Sequence, residues 1–119
     1  MKKLILILVL FNYSIKASEK SINNTWCSSY NGVIEYRTSY GTYVDCLTNE
    51  FAIEVEFDYK WKESIGQSFH YAEATNKKPG ILIIKRSKSK KDYLEELNKT
   101  ITKFNLPITI FIIDEQAIQ

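Results

Sequence analysis

Between Val33 and Thr38 (VIEYRT) the chain alternates and is rich in β-forming residues. Alternation puts successive side chains on opposite faces of a strand. Ser39-Tyr40-Gly41 reads as a turn, Thr42–Leu47 as a second strand, Thr48-Asn49-Glu50 as another turn and Phe51–Phe57 as a third strand. Asp58 is placed to cap a helix from Tyr59 to Thr75, whose apolar stripe is Trp61, Ile65, Phe69 and Ala72. Asn76 to Gly80 (NKKPG) stops it. Ile81–Ile84 (ILII) is too apolar for a half-exposed strand, so it predicts a central strand covered on both faces. A second helix over Lys90–Phe104 turns Tyr93, Leu94, Leu97, Ile101 and Phe104 inward, and Pro107–Ile113 forms the last strand. The order β-β-β-α-β-α-β predicts an α/β domain with a mixed sheet. Its first half is an antiparallel three-strand meander, followed by right-handed α-β-α-β crossovers.

The beginning of the chain has a different pattern. A basic start (Met1-Lys2-Lys3), an unbroken apolar run (Leu4 to Phe11) and a small residue at Ala17 match a secretory signal peptide over residues 1–17. Eight apolar residues fall far short of the ~20 that a spanning helix needs. Residues 18–119 are then a single exported domain, periplasmic or secreted, with Ser18–Asn24 (SEKSINN) as a loose polar leader. Cleavage removes three of the 16 basic residues and leaves 13 against 14 acidic ones, a net charge of −1. A generic polycation that coats nucleic acid is excluded. Two cysteines, Cys27 and Cys46, suggest one disulfide in an oxidising compartment, with an unbonded thiol pair as the alternative. A single histidine, His70, and no Cys-x-x-Cys exclude a zinc site of the usual kind.

Parity raises the chemical question. Glu54 and Glu56 share one face of the third strand, opposite Ile53, Val55 and Phe57. Tyr43, Asp45 and Leu47 share a face of the second, opposite Val44 and Cys46. If the hairpin sets Asp45 beside Glu54 or Glu56, like charges converge, which is destabilising. A hard divalent cation such as Mg²⁺, taking the carboxylates and the Val55 carbonyl, would relieve it. A solvated face is the bland alternative. Along the following helix Lys60, Ser64, Gln67 and Tyr71 form a polar stripe, a set suited to a phosphodiester.

The motifs VDC (Val44–Cys46), AIEVEF (Ala52–Phe57) and GQSFHYA (Gly66–Ala72) resemble the PD-(D/E)xK, or restriction-endonuclease-like, nuclease superfamily. The longer string from Gly41 to Gln67 resembles small exported bacterial members of it. The resemblance covers roughly Tyr30 to Ile84. It implies a restriction-endonuclease-like mixed sheet and Mg²⁺-dependent (or Mn²⁺-dependent) hydrolysis of DNA. It makes Asp45, Glu54, Glu56 and Lys60 catalytic, with Asp45, Glu54, Val55 and Glu56 on the metal. Gln67, Tyr71, Lys85, Arg86 and Lys88 would bind substrate. Two features depart from the pattern: Glu56 stands where lysine is expected, so Lys60 would supply the cation, and no proline precedes the acid strand. Glu35 matches an upstream acid of some branches, or is simply an exposed strand charge.

The basic run Lys85, Arg86, Lys88, Lys90 and Lys91 reads equally as a nucleic-acid contact or a solvated loop. His70, Trp26 and Trp61 read as packing or surface residues. A non-catalytic secreted binding module that keeps the fold is the rival reading, and a small structural periplasmic protein the third. A domain this small has little surface for a duplex, which leaves a homodimer open but unsupported.

Overall fold

The computed structural model describes residues 19–118, so the expected signal peptide lies outside the described residues. Residues 19–29 form a helix, α1. Strands β1 (Val33–Arg37), β2 (Tyr43–Leu47) and β3 (Phe51–Phe57) follow, then α2 (Trp61–Thr75), β4 (Lys78–Lys85), α3 (Tyr93–Phe104) and β5 (Thr109–Asp114). The five strands make one mixed sheet in the order β1-β2-β3-β4-β5. β1, β2 and β3 are antiparallel neighbours, whereas β3, β4 and β5 run parallel. Among the described residues no helix is long and apolar enough to cross a membrane.

α1 stands where the polar composition predicts a loose leader. Ile22 and Cys27 are buried in it, with Trp26 beside them, against Ile53, Val55, Leu82 and Ile84. Two apolar residues and a covalent tie suffice to hold a short polar helix whose stability comes from packing rather than propensity. The tie is the Cys27–Cys46 disulfide, with Cα atoms 5.7 Å apart and a sequence separation of 19. Gly32 passes so close that a Cβ there would meet the two sulfurs at 2.5 and 2.6 Å. Replacing both cysteines by serine is expected to lower the unfolding free energy by about 3 kcal/mol, read from urea titrations. An unchanged midpoint would mean that packing alone seats α1.

The opposite face is covered by α2 and α3, where Trp61, Ile81, Ile83, Leu97 and Ile108 form the second core. Ile81 to Ile84 are fully buried on alternate faces, as the run ILII requires. Each such side chain contributes about 1.5–3 kcal/mol of burial. The boundaries are shifted from the sequence pattern. Asp58–Lys60 form a short 3-10 turn before α2, and the buried Asp58 is turned inward instead of capping from solvent. α3 begins at Tyr93, capped by Asp92, whose carboxylate accepts the Glu95 N–H at 3.0 Å. Phe104, expected inside, is 66 % exposed. The chain reverses at the left-handed Asn105, and the Leu106 N–H donates to the Ile101 carbonyl at 3.0 Å. Leu106 therefore fills the apolar place after the helix, the hydrophobic contact usual for such an end.

Candidate functional site

β2 and β3 form a fork. Their pairing covers Leu47↔Ala52 and Cys46↔Ile53. Beyond it the Asp45 carboxylate takes the ladder's place, with Oδ2 accepting the Val55 N–H at 2.8 Å. The Asp45 carbonyl accepts from Asn23 Nδ2 on α1 at 3.0 Å. On the outer side Glu35 adopts a left-handed φ of 54°, between the pairs Ile34↔Cys46 and Tyr36↔Val44. Strict alternation fails here. Cys46 packs with Ile53 on the α1 face, yet Val44, two residues earlier, packs with Ala52 and Tyr71 on the α2 face. The strand rolls over at Asp45, so the parity that set Val44 and Cys46 together does not hold.

Asp45 nevertheless meets Glu54. Glu54 is only 4 % exposed, and its carboxyl is pushed up to about 9. Burial is the largest cause, followed by the Asp45 charge, a hydrogen bond to Asp45, and the charges of Glu56 and Glu19. Asp45 is also raised, by burial first, while the Val55 N–H and the bond from Glu54 pull it back. With its proton held this high, Glu54 is the donor in the bond to Asp45. Burial, followed by the charges of Glu54 and Asp45, pushes the neighbouring Tyr71 hydroxyl up to about 12. Glu56 is half-buried and raised by burial, with its Oε1 accepting the Phe57 N–H at 3.0 Å.

A cavity of about 210 Å³ opens at the fork, lined by Glu19, Lys20, Asn23, Asn24, Glu35, Asp45 and Val55. Asn23 is 7 % exposed, and its Oδ1 meets no donor among the described residues. Glu19 is raised by burial and then by the Glu56 and Asp45 charges. Among the described residues no three His, Cys, Asp or Glu side chains are gathered tightly enough to hold a metal ion as they stand. Of the four expected ligands, Asp45 and Val55 reach the cavity, Glu54 backs Asp45, and Glu56 stands at the side toward Lys60.

The polar stripe of α2 divides. Ser64 and Tyr71 are buried, Gln67 is exposed, and the Ser64 hydroxyl donates to the Trp61 carbonyl at 2.6 Å. Tyr71 belongs to the carboxylate cluster and Gln67 does not. Lys60 is exposed, feels the Glu56 and Glu19 charges, and lies with its Nζ 5.7 Å from the Tyr59 ring. The Arg86 guanidinium covers the same ring at 4.0 Å. Arg86 Nε stands 3.5 Å from Asp58 Oδ1, an ion pair without a hydrogen bond, and the Ser89 hydroxyl bonds the other Asp58 oxygen. Lys85 and Arg86 line a cavity beside the start of α3, and Lys88 is exposed. His70 holds the β1–β2 turn to α2 through Nε2 and Thr42 Oγ1 at 2.8 Å.

Sequence reasoning missed Glu19 and Asn23, both inside SEKSINN. The spacing of Ile22 and Trp26, one helical turn apart and followed by Cys27, is the signal that could have found their helix.

No protein-family model matches the chain, and no solved structure does. Three relatives come from Acanthamoeba polyphaga mimivirus. Putative KilA-N domain-containing protein L33 is 31 % identical over 93 residues, which is 78 % of this chain and 37 % of the relative. Putative KilA-N domain-containing protein R878 is 29 % identical over 93 residues, 78 % of this chain and 25 % of that protein. The corresponding protein L32 is 41 % identical over 61 residues, 51 % of this chain and 16 % of its own length. The chain therefore spans little more than a third, or less, of the relatives it matches. They correct two expectations. These relatives are viral and named for a KilA-N domain, so the assignment to the PD-(D/E)xK superfamily as an exported bacterial member gives way. The expected function, an exported metal-dependent nuclease, falls with it.

Proposed function

We propose that this chain is a nucleic-acid-binding module that seats a hard divalent cation, Mg²⁺ or Mn²⁺, in the fork between β2 and β3. One observation carries the reading: Asn23, buried and with an Oδ1 that meets no donor among the described residues, lines a cavity together with Glu19, Glu35 and Asp45. Amide, carbonyl and carboxylate oxygens are the donors such cations take. Asp45, Glu19, Asn23 and Val55 would hold the ion, with Glu54 orienting Asp45 and Glu56 adding charge from the side. When bound, the cation would offset the clustered negative charge and offer a positive contact to a phosphate.

Of the chain's own cations, Lys20 lines this cavity, and Lys60 is close enough to act on Glu19 and Glu56 beside it. Tyr59 gathers Lys60 and Arg86, and Lys85 and Lys88 extend the basic edge past the end of β4. Contacts of this kind fix the register of a phosphate backbone and carry no sequence information. DNA is the partner expected. Fluorescence anisotropy with labelled single-stranded and duplex DNA tests the reading in Mg²⁺, in Mn²⁺ and in EDTA. Affinity should rise about tenfold or more with either cation, a gain of about 1.4 kcal/mol, and Asp45→Asn should abolish the rise while thermal unfolding stays cooperative. Equal affinity in EDTA, or a cation response that survives Asp45→Asn, would overturn it.

A further inference from the structure

At the opposite end of β3 four aromatic rings line another cavity, of about 270 Å³: Trp26, Tyr30, Phe51 and Phe111, together with Thr48, Asn49 and Glu50. Phe111 is the common neighbour, with its centroid 5.3 Å from Trp26, 6.3 Å from Tyr30 and 5.3 Å from Phe51, edge-on to each. Trp26 and Tyr30 lie against one another at 4.5 Å. Tyr30 is 53 % exposed, so its ring is only half committed to packing.

Both walls are fixed before any ligand arrives. The disulfide pins the end of α1, with Trp26 on its last turn and Tyr30 just beyond it, and the Tyr30 and Gly32 N–H groups both donate to the Cys27 carbonyl. Across the cavity, Thr48 Oγ1 accepts the Glu50 and Phe51 N–H groups and donates to the Phe51 carbonyl, which locks the turn into β3. Preorganised walls reduce the ordering cost of binding.

Three electrostatic features favour a positive ligand. Ring faces attract cations. The C-terminal end of α1 carries the negative end of its dipole. Glu50 adds a carboxylate, and the rim already draws two ammonium groups: Lys78 Nζ lies 3.0 Å from Glu50, and Lys77 Nζ donates to the Asn49 carbonyl at 2.8 Å. Both contacts are exposed, so they hold the rim weakly and yield to a ligand that also meets the rings.

We infer that this cavity is a binding site for an organic cation, a trimethylammonium group such as that of choline or of a trimethylated lysine. The inference does not rest on the fork site. The test follows the Trp26 indole N–H resonance by NMR, with Trp61, on the other face of the sheet, as the internal control. Choline and Nε-trimethyllysine are titrated beside neohexanol, the uncharged isostere of choline. Trp26 should shift saturably with the cations, Trp61 should stay still, and neohexanol should bind about tenfold or more weakly. Tyr30→Ala should weaken choline binding by a similar factor, and Tyr30→Phe should retain it. The tighter of the two cations identifies the source of the group. Equal binding of neohexanol, no shift with either cation, or full affinity in Tyr30→Ala would overturn the inference.

Discussion

Replacing Glu54 by glutamine is expected to leave stability near wild type at pH 5 and to raise it by about 3 kcal/mol at pH 9. Free glutamic acid ionises near 4.5, whereas the folded protein holds this proton up to about 9. Below 4.5 both the folded and unfolded chains carry it, and the stabilisation of the protonated form is fully present. Above 4.5 the unfolded chain binds fewer protons than the folded one, so rising pH favours unfolding until the folded group ionises too. Each pH unit across that window costs up to about 1.4 kcal/mol. Rearrangement of the neighbouring acids as Glu54 ionises shortens the effective window, which leaves about 3 kcal/mol. Glutamine resembles the protonated acid: its amide can donate to Asp45 and its oxygen can accept from Tyr71, but it never ionises. Urea unfolding of both proteins in EDTA, at intervals from pH 5 to pH 9, gives the comparison. A stability gap that stays constant across that range would show that Glu54 is already ionised at low pH.

That buried proton shows where the sequence was legible and where it was not. α2 and α3 follow from helical periodicity and the doubly covered ILII strand from its unbroken apolar run, whereas the meander follows from β-forming residues set between turn signals, since β1 is largely exposed and β3 is buried on both faces. The breaks in periodicity are what the pattern could not supply. Asp45 bonds Val55 in place of a strand neighbour, and Glu35 takes a left-handed conformation without glycine. Together they roll β2 over, and Val44 and Cys46 end on opposite faces. Neither event has a local signature, since both depend on a partner strand that diverges. Asp45 and Glu54 were still legible as a pair, because directly opposed positions survive a local twist. Gln67 was grouped with Tyr71 by helical spacing, but α2 presents its Ser64, Ser68 and Tyr71 side to the sheet and leaves Gln67 in solvent. Short motifs also carried the nuclease resemblance further than the named relatives support.

Arg86 ties the fold to the proposed phosphate edge, and removing it should affect both. Asp58 is 2 % exposed and takes the Tyr59 N–H and the Ser89 hydroxyl in addition to the Arg86 charge. Arg86→Ala leaves that carboxylate buried with two neutral donors and no countercharge. Loss of a fully buried partner costs about 3–5 kcal/mol. The Arg86 side chain is 35 % exposed, so solvent screening lowers the expected loss to about 2 kcal/mol. Lysine at 86 restores charge without the planar stack over Tyr59 and should recover only part of it. Asp58→Ala combined with Arg86→Ala should cost less than the sum of the single losses by about 1 kcal/mol, because the second change removes a group the first has already stranded. Strictly additive losses would show that the two side chains do not act together. For binding, Arg86→Ala should weaken DNA about equally across sequences and reduce the slope of log affinity against log salt by about one. If the slope is unchanged while stability falls, Arg86 braces the β3–α2 junction and the phosphate contact must lie with Lys60 and Lys85.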